Sequence, residues 1–280
     1  MKTKITLATL LLVGITTVNA QKKYDIKTAK TYAEISAKTD GKWQGRKYIG
    51  GTTFKNVDRL KLAPEHTDHS FDIRYEGPGW ESNRIGYRLY LDWRNAIDIF
   101  GKKTPEMILP RVGQDNFDSY HEMSDWGADI LKAGKAIGIG SIDRYLNNDK
   151  LHFREVDSTI ATVANKTTES VVKVQYYGWK TASDKIDFTS ELTIKPDELY
   201  TQHKIQASKE IKGICTGIAK QKNTEFLKKN SKNKKWAYIA TYGVQSLVPD
   251  KLGMAIFYEV NTIENAPETD LEIGRASCRE

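Results

Sequence analysis

Apolar and polar residues alternate with a period of two in segment after segment of this chain, and that repeat constrains the fold more than any other feature. Successive side chains of a strand point to opposite faces, so alternation places one face against a core. The pattern predicts strands over roughly 69–76, 85–94, 151–156, 169–179, 186–195, 199–208, 211–219, 236–243 and 252–260. Turn-forming residues separate them, as at Gly178, Ser183-Asp184 and Asn147-Asn148-Asp149. Residues 25–38 are rich in Ala, Glu and Lys and predict one short helix. Residues 125–138 offer a second, weakened by Gly127, Gly134 and Gly138. There is no strand–helix–strand rhythm and no glycine-rich phosphate loop opening a helix, which disfavours Rossmann and TIM-type folds. The expected fold is all-β, a large antiparallel β-sandwich with one or two short helices.

Both ends fall outside that pattern. Lys2 and Lys4 precede a mostly apolar run from Ile5 to Val18, and Val18-Asn19-Ala20 is a small-residue cleavage pattern. Residues 1–20 therefore read as a secretory signal peptide leaving Gln21 first, with export to the periplasm or beyond. No other stretch reaches the roughly 18 apolar residues of a membrane helix, so no membrane span is expected. Residues 273–280, IGRASCRE, match one reading frame of a widely used sequencing adapter and are expected to be an artefact on a C-terminally truncated chain. Residues 21–272 then form a single domain. Cys215 and Cys278 give no disulfide framework, and Cys215, in ICTGI, reads as a small buried hydrophobe.

The densest chemistry lies in residues 65–103. On the strand expected over 85–94, Tyr87, Leu89, Leu91 and Trp93 share a core face, while Arg88, Tyr90, Asp92 and Arg94 share the other. On the preceding one, Phe71, Ile73 and Tyr75 face one way and Asp72, Arg74 and Glu76 the other. Side by side these strands lay Arg, Asp, Glu and Tyr across one surface. Arg holds a carboxylate with two parallel hydrogen bonds and aromatic rings stack on sugars, so the strip suits an acidic carbohydrate. A solvated face of cross-strand ion pairs uses the same residues. The break Gly77-Pro78-Gly79-Trp80 is expected to display Trp80 and Glu81 on a rigid turn.

A second cluster runs from Asp118 to Trp126 and holds Tyr120, His121, Glu122 and Asp125. His121 is the side chain best suited to proton transfer near neutrality, and Tyr120 beside it is placed to share the task. A hydrogen-bonded structural histidine fits the cluster equally well. His66 and His69 have the i, i+3 spacing of a metal pair, the one cofactor the sequence admits, although no H-E-x-x-H motif accompanies them. His152 and His203 are isolated in expected strands and read as structural, with His203 retaining a chance of facing a cleft. No G-x-S-x-G nucleophile motif occurs. A net charge of +7 suits anionic ligands and, without a recognition motif, does not indicate nucleic acid. The Lys-rich stretch 220–235 reads as a solvated connecting loop.

The segments YEGPGWESNRIGYRLYLDWRNAIDIFGKK, DSYHEMSDWGADILKAGKAIGIGS, YYGWK with IDFTSELTI, and ATYGVQSLVPDKLGMAIFY resemble the Bacteroidetes family catalogued as domain of unknown function 4861. The resemblance runs from about Tyr32 to Tyr258. It implies a galactose-mutarotase-like β-supersandwich, a fold shared with polysaccharide lyases, and a setting of polyuronide breakdown. Members are usually longer, in keeping with a truncated C-terminus.

Two functions follow as expectations. The first is an enzyme acting on uronic-acid-containing oligosaccharides, by β-elimination or dehydration at C4–C5 of the uronate. Arg74, Arg88 or Arg94 would neutralise the carboxylate, His121 or Tyr120 would take the C5 proton, and a second Tyr or a protonated acid such as Glu81 would assist the departing oxygen. Glu76, Trp80, Tyr90, Asp92, Asp125 and Trp126 complete the expected substrate surface. Epimerase or hydrolase chemistry would need similar parts. The second is a non-catalytic protein that binds acidic carbohydrate within a polysaccharide-utilisation system.

Overall fold

The computed structural model describes residues 24–114, 119–222, 224–230, 235–260, 263–265 and 272–278. The signal peptide expected at residues 1–20 lies outside them, as does Asp118. The chain is all-β and antiparallel. Among the described residues, helix is limited to short 3-10 turns, as at Arg74–Glu76, Leu109–Arg111 and Ser119–His121.

The described residues form three five-stranded sheets, one three-stranded sheet and two two-stranded pairs. The N-terminal sheet has the spatial order Thr31–Glu34, Gly79–Ser82, Ile85–Leu89, Ile97–Lys102, Gly127–Asp129. A sheet of long strands follows the order Gln202–Ala207, Asp184–Ile194, Ser170–Thr181, Ser158–Asn165, Arg59–Lys61. The third centres on Ile139–Leu146 and Ile214–Ala219. The smallest joins Thr224–Asn230, Trp236–Gly243 and Leu252–Glu259. Several small antiparallel sheets of this kind resemble propeller blades more than the two broad layers of a large sandwich. Alternation marks which segments are strands but not how they partner. Here many partners are near neighbours in the chain, but three of the four main sheets also pair distant segments, 31–34 with 79–82, 59–61 with 158–165 and 139–146 with 214–219.

The longest hairpin shows how pattern becomes packing. Val172, Val174 and Tyr176 alternate inward and meet Phe188, Leu192 and Ile194 across the pair. The register then shifts between Tyr176 and Trp179, where Gly178 takes φ +64° and donates its N–H to Asp187 Oδ1. This bulge returns Trp179 to the core, stacked on Phe153 with ring centres 3.9 Å apart. All four main sheets contribute to one core, represented by Trp80, Leu89, Trp179, Phe188, Ile142, Ile218, Ile239 and Met254.

Several expected elements differ. Residues 25–38 form a turn followed by the strands Thr31–Glu34 and Ser36–Lys38, because tertiary pairing overrides weak helix propensity. Residues 125–138 supply the strand Gly127–Asp129 and then turns, as their glycines foreshadow. The strand expected over 85–94 ends at Leu89, where Asn95 turns the chain back with φ +49°. Leu91 nevertheless joins Tyr87 and Leu89 in the core. The segment 69–76 is no strand, because His69, Phe71, Tyr75 and Glu76 all have positive φ. Lys-rich residues 224–230 form an exposed edge strand, while 223 and 231–234 lie outside the described residues. Cys215 is buried, as its apolar setting predicts.

Candidate functional site

The N-terminal sheet is buried on both faces. Tyr87, Leu89, Ile97 and Ile99 enter the main core, whereas Phe100 joins a second cluster with Tyr75, Ile108, Leu109, Val112, Tyr120 and Trp126. Strand alternation sends Arg88 and Asp98 to that second side, directly opposite one another in register. Asp129, at the end of the edge strand, reaches the same point.

Arg88 is the hub. Its Nη2 donates to Asp129 Oδ2 at 2.7 Å, Asp98 Oδ2 at 2.9 Å and the Tyr90 hydroxyl at 2.6 Å, and its Nη1 to the Tyr120 hydroxyl at 2.7 Å. The guanidinium also lies over the rings of Tyr90, Tyr120 and Phe100, 4.5, 4.8 and 5.6 Å from their centres. Burial, and then the charge of Asp129, raise the Asp98 carboxyl to about 7. Burial raises the Tyr120 hydroxyl to about 12, which favours its protonated form.

The network extends in two directions. The Tyr90 ring is shared between Arg88 and Arg94, whose guanidinium lies 4.3 Å from its centre. Arg94 bonds Asp92 and donates to Asp68 Oδ1 at 2.6 Å, and it stands 3.6 Å from Glu76. Burial raises Glu76 above the usual carboxylate range, against the pull of Arg88 and Arg94. In the other direction, Asp129 Oδ2 lies 3.1 Å from His121 Nδ1. Asp129 is fully buried, while the His121 side chain is 39% exposed. A buried carboxylate on Nδ1 holds the proton there and presents Nε2 as the basic atom. Arg88 in turn fixes that carboxylate, so the imidazole has a rigid backing.

The expected residues therefore divide. Arg88, Tyr90, Asp92, Arg94, Glu76, Tyr120 and His121 are joined in one chain of contacts. Arg74 is buried nearby, bonded to Glu34, and Tyr75 donates to the same carboxylate oxygen at 2.6 Å. Gly113 separates it from Tyr120, since a Cβ there would stand 3.5 Å from Arg74 Cγ and 3.3 Å from the Tyr120 ring. Trp80 and Glu81 are not displayed on a turn. Both are fully buried in the strand Gly79–Ser82, because the Gly-Pro-Gly break precedes that strand without exposing it. Glu81 accepts from Lys102 Nζ and from the backbone N–H groups of Ile108 and Leu109, so both its carboxylate oxygens are engaged within the protein. Asp125 is exposed and pairs with Arg111 at 3.1 Å, and Trp126 packs edge-on against Phe100.

His66 and His69 do not act as a pair. His66 Nδ1 engages Asp72 at 2.9 Å in a buried site, whereas His69 engages Asp68 at 2.8 Å at the surface. Asp68, His69 and Glu76 do converge with ligand atoms within 4.8 Å of one another, but Arg94 already brings its positive charge to that group. The loop that builds it is strained. His69, Phe71, Tyr75 and Glu76 have φ between +41° and +68°, which residues of these types rarely adopt outside sites that need them.

The partners that sequence reasoning missed are acidic: Glu34, Asp68, Asp98 and Asp129. Two carry a legible signal, a lone carboxylate inside an apolar run, in Ala96-Ile97-Asp98-Ile99-Phe100 and Gly127-Ala128-Asp129-Ile130-Leu131. No curated protein and no solved structure shows a significant match to this chain. The family model described as "Domain of unknown function (DUF4861)" matches residues 9–274. The chain belongs to that family.

Proposed function

We propose that the protein is an exported enzyme acting on uronic-acid-containing oligosaccharides, by β-elimination or dehydration at C4–C5 of the uronate, with His121 as the base. The observation that carries this reading is the half-exposed imidazole backed by the buried Asp129 carboxylate. In the reaction Nε2 of His121 takes the C5 proton, the electron pair forms the C4–C5 double bond, and the C4–O bond breaks with protonation of the departing oxygen by water. Arg74 and Arg88 are matched by protein carboxylates and hold the scaffold rather than the substrate. Arg111, 44% exposed and in surface pairs with Asp125 and Glu106, is a cation able to exchange its partners for a substrate carboxylate.

The test is ultraviolet absorbance of unsaturated uronate when the protein meets a broad panel of oligouronides. Turnover is expected, and His121→Ala should abolish it while the thermal midpoint stays unchanged. A folded wild type that produces no such absorbance would sink elimination, and affinity without turnover would favour the binding-protein reading.

A further inference from the structure

We propose that the cleft where the four main sheets meet binds neutral pyranose units of a carbohydrate chain. This site shares no residue with the His121 network and does not rest on the reaction proposed above.

The cleft has a volume of about 640 Å³, within the range of small-molecule sites. Its floor is the stacked pair Trp80 and Tyr87, with ring centres 5.7 Å apart. One wall is the edge strand Gln202–Ala207 and the other is the edge strand Leu252–Glu259. Three large aromatic side chains stand at the opening: Tyr200 is 58% exposed, Trp236 43% and Phe257 64%. A folded chain gains by burying such rings, and three around one mouth offer apolar faces to a ligand with apolar faces of its own.

The polar lining narrows the ligand class. Lys195 is offset by Glu198, and Glu259 lies 3.7 Å from Lys235, so the rim has no positive surplus for an anion. Deeper in, His203 is neutral, since burial depresses its pKa to about 4. Its Nδ1 donates to Gly140 O at 3.0 Å and its Nε2 accepts from Ser190 Oγ at 2.5 Å. The remaining polar lining, Thr193, Thr201, Gln202 and Thr216, consists of hydroxyls and an amide. Aromatic faces beside uncharged hydrogen-bonding groups fit a molecule with C–H faces and hydroxyl edges, which describes a neutral sugar ring.

The wall is organised before any ligand arrives. Trp80 Nε1 donates to Thr201 Oγ1 at 2.8 Å, the Tyr87 hydroxyl to Leu199 O at 2.7 Å, and Ser82 Oγ to Glu198 O at 2.6 Å. The N-terminal sheet thus clamps the 198–201 segment, and binding need not order it.

The experiment titrates the full chain with neutral tetrasaccharides of glucose, xylose, mannose and galactose, and with oligouronides of equal length, by calorimetry and tryptophan fluorescence. At least one neutral tetrasaccharide should bind saturably. Trp236→Ala and Phe257→Ala should each weaken it tenfold or more, and His121→Ala should leave it unchanged. Both aromatic positions are exposed, so the variants should keep the wild-type thermal midpoint. The proposal is overturned if no neutral sugar saturates, if only charged sugars bind, or if binding survives both aromatic substitutions. A protein that binds neutral sugar without eliminating uronate would fail the enzymatic reading and keep this one.

Discussion

Arg88 is a single cation serving two buried carboxylates and two phenols, and its removal is the most severe change available at the site. Arg88→Met keeps the length and apolar stem of the side chain but leaves Asp98 and Asp129 facing each other in a dry interior. Breaking a buried pair in this way costs about 3–5 kcal/mol. Chemical denaturation should show a loss of that size, and a loss under about 1 kcal/mol would mean that water reaches the cluster. Asp129→Asn probes the other end. The amide cannot stabilise an imidazolium, so oligouronide turnover should fall by at least a hundredfold with the fold retained. An unchanged rate would remove His121 from the base role. Sequence periodicity places Arg88 on the face it occupies, because its strand runs to Leu89, whereas Tyr90 and Arg94 reach it from the turn that follows, which alternation does not describe. It could not supply Asp129, which pairs with His121 only through the folding of a strand whose glycines suggest a weak helix.

At the level of elements, the molecule depends on places where backbones of different sheets approach closely. Gly138 forms a bridge with Ile97, joining the N-terminal and third sheets. It has φ +71°, and a Cβ there would lie 1.8 Å from Ile97 O. Gly138→Ala combines a backbone collision with an unfavourable conformation and should cost about 2–4 kcal/mol in denaturant unfolding. A neutral result would show that the seam opens without penalty. The long hairpin from 170 to 194 was legible because each strand alternates cleanly. The 69–76 loop was not, since its alternation imitates a strand while four of its residues adopt positive φ. Burial of Glu76 and the ties among Asp68, Arg94 and His69 hold that conformation, and such long-range support leaves no trace in local pattern.

Across the whole molecule, two buried titratable groups in different sheets oppose each other. Asp98, in the N-terminal sheet among Arg88, Tyr90 and Asp129, is raised from 3.8 to about 7. The folded state therefore holds its proton more tightly than the unfolded chain. That contribution is complete below the unfolded value and is lost as pH rises through about 7. His203, which joins the long-strand sheet to Gly140 of the third, is lowered from 6.5 to about 4. Its contribution is complete above 6.5 and is lost as pH falls through about 4. Over the shared window the two slopes have opposite signs. His203→Gln removes the term that rises with pH, so relative to wild type its stability should decline between pH 4 and 6.5, by on the order of 2–3 kcal/mol across the window. Asp98→Asn removes the falling term, so relative to wild type its stability should climb over the same range. Guanidinium unfolding of the three proteins at half-unit pH steps reads both differences directly. Parallel curves would mean that neither group changes its protonation on unfolding, and the two buried sites would then be wetter than their packing implies.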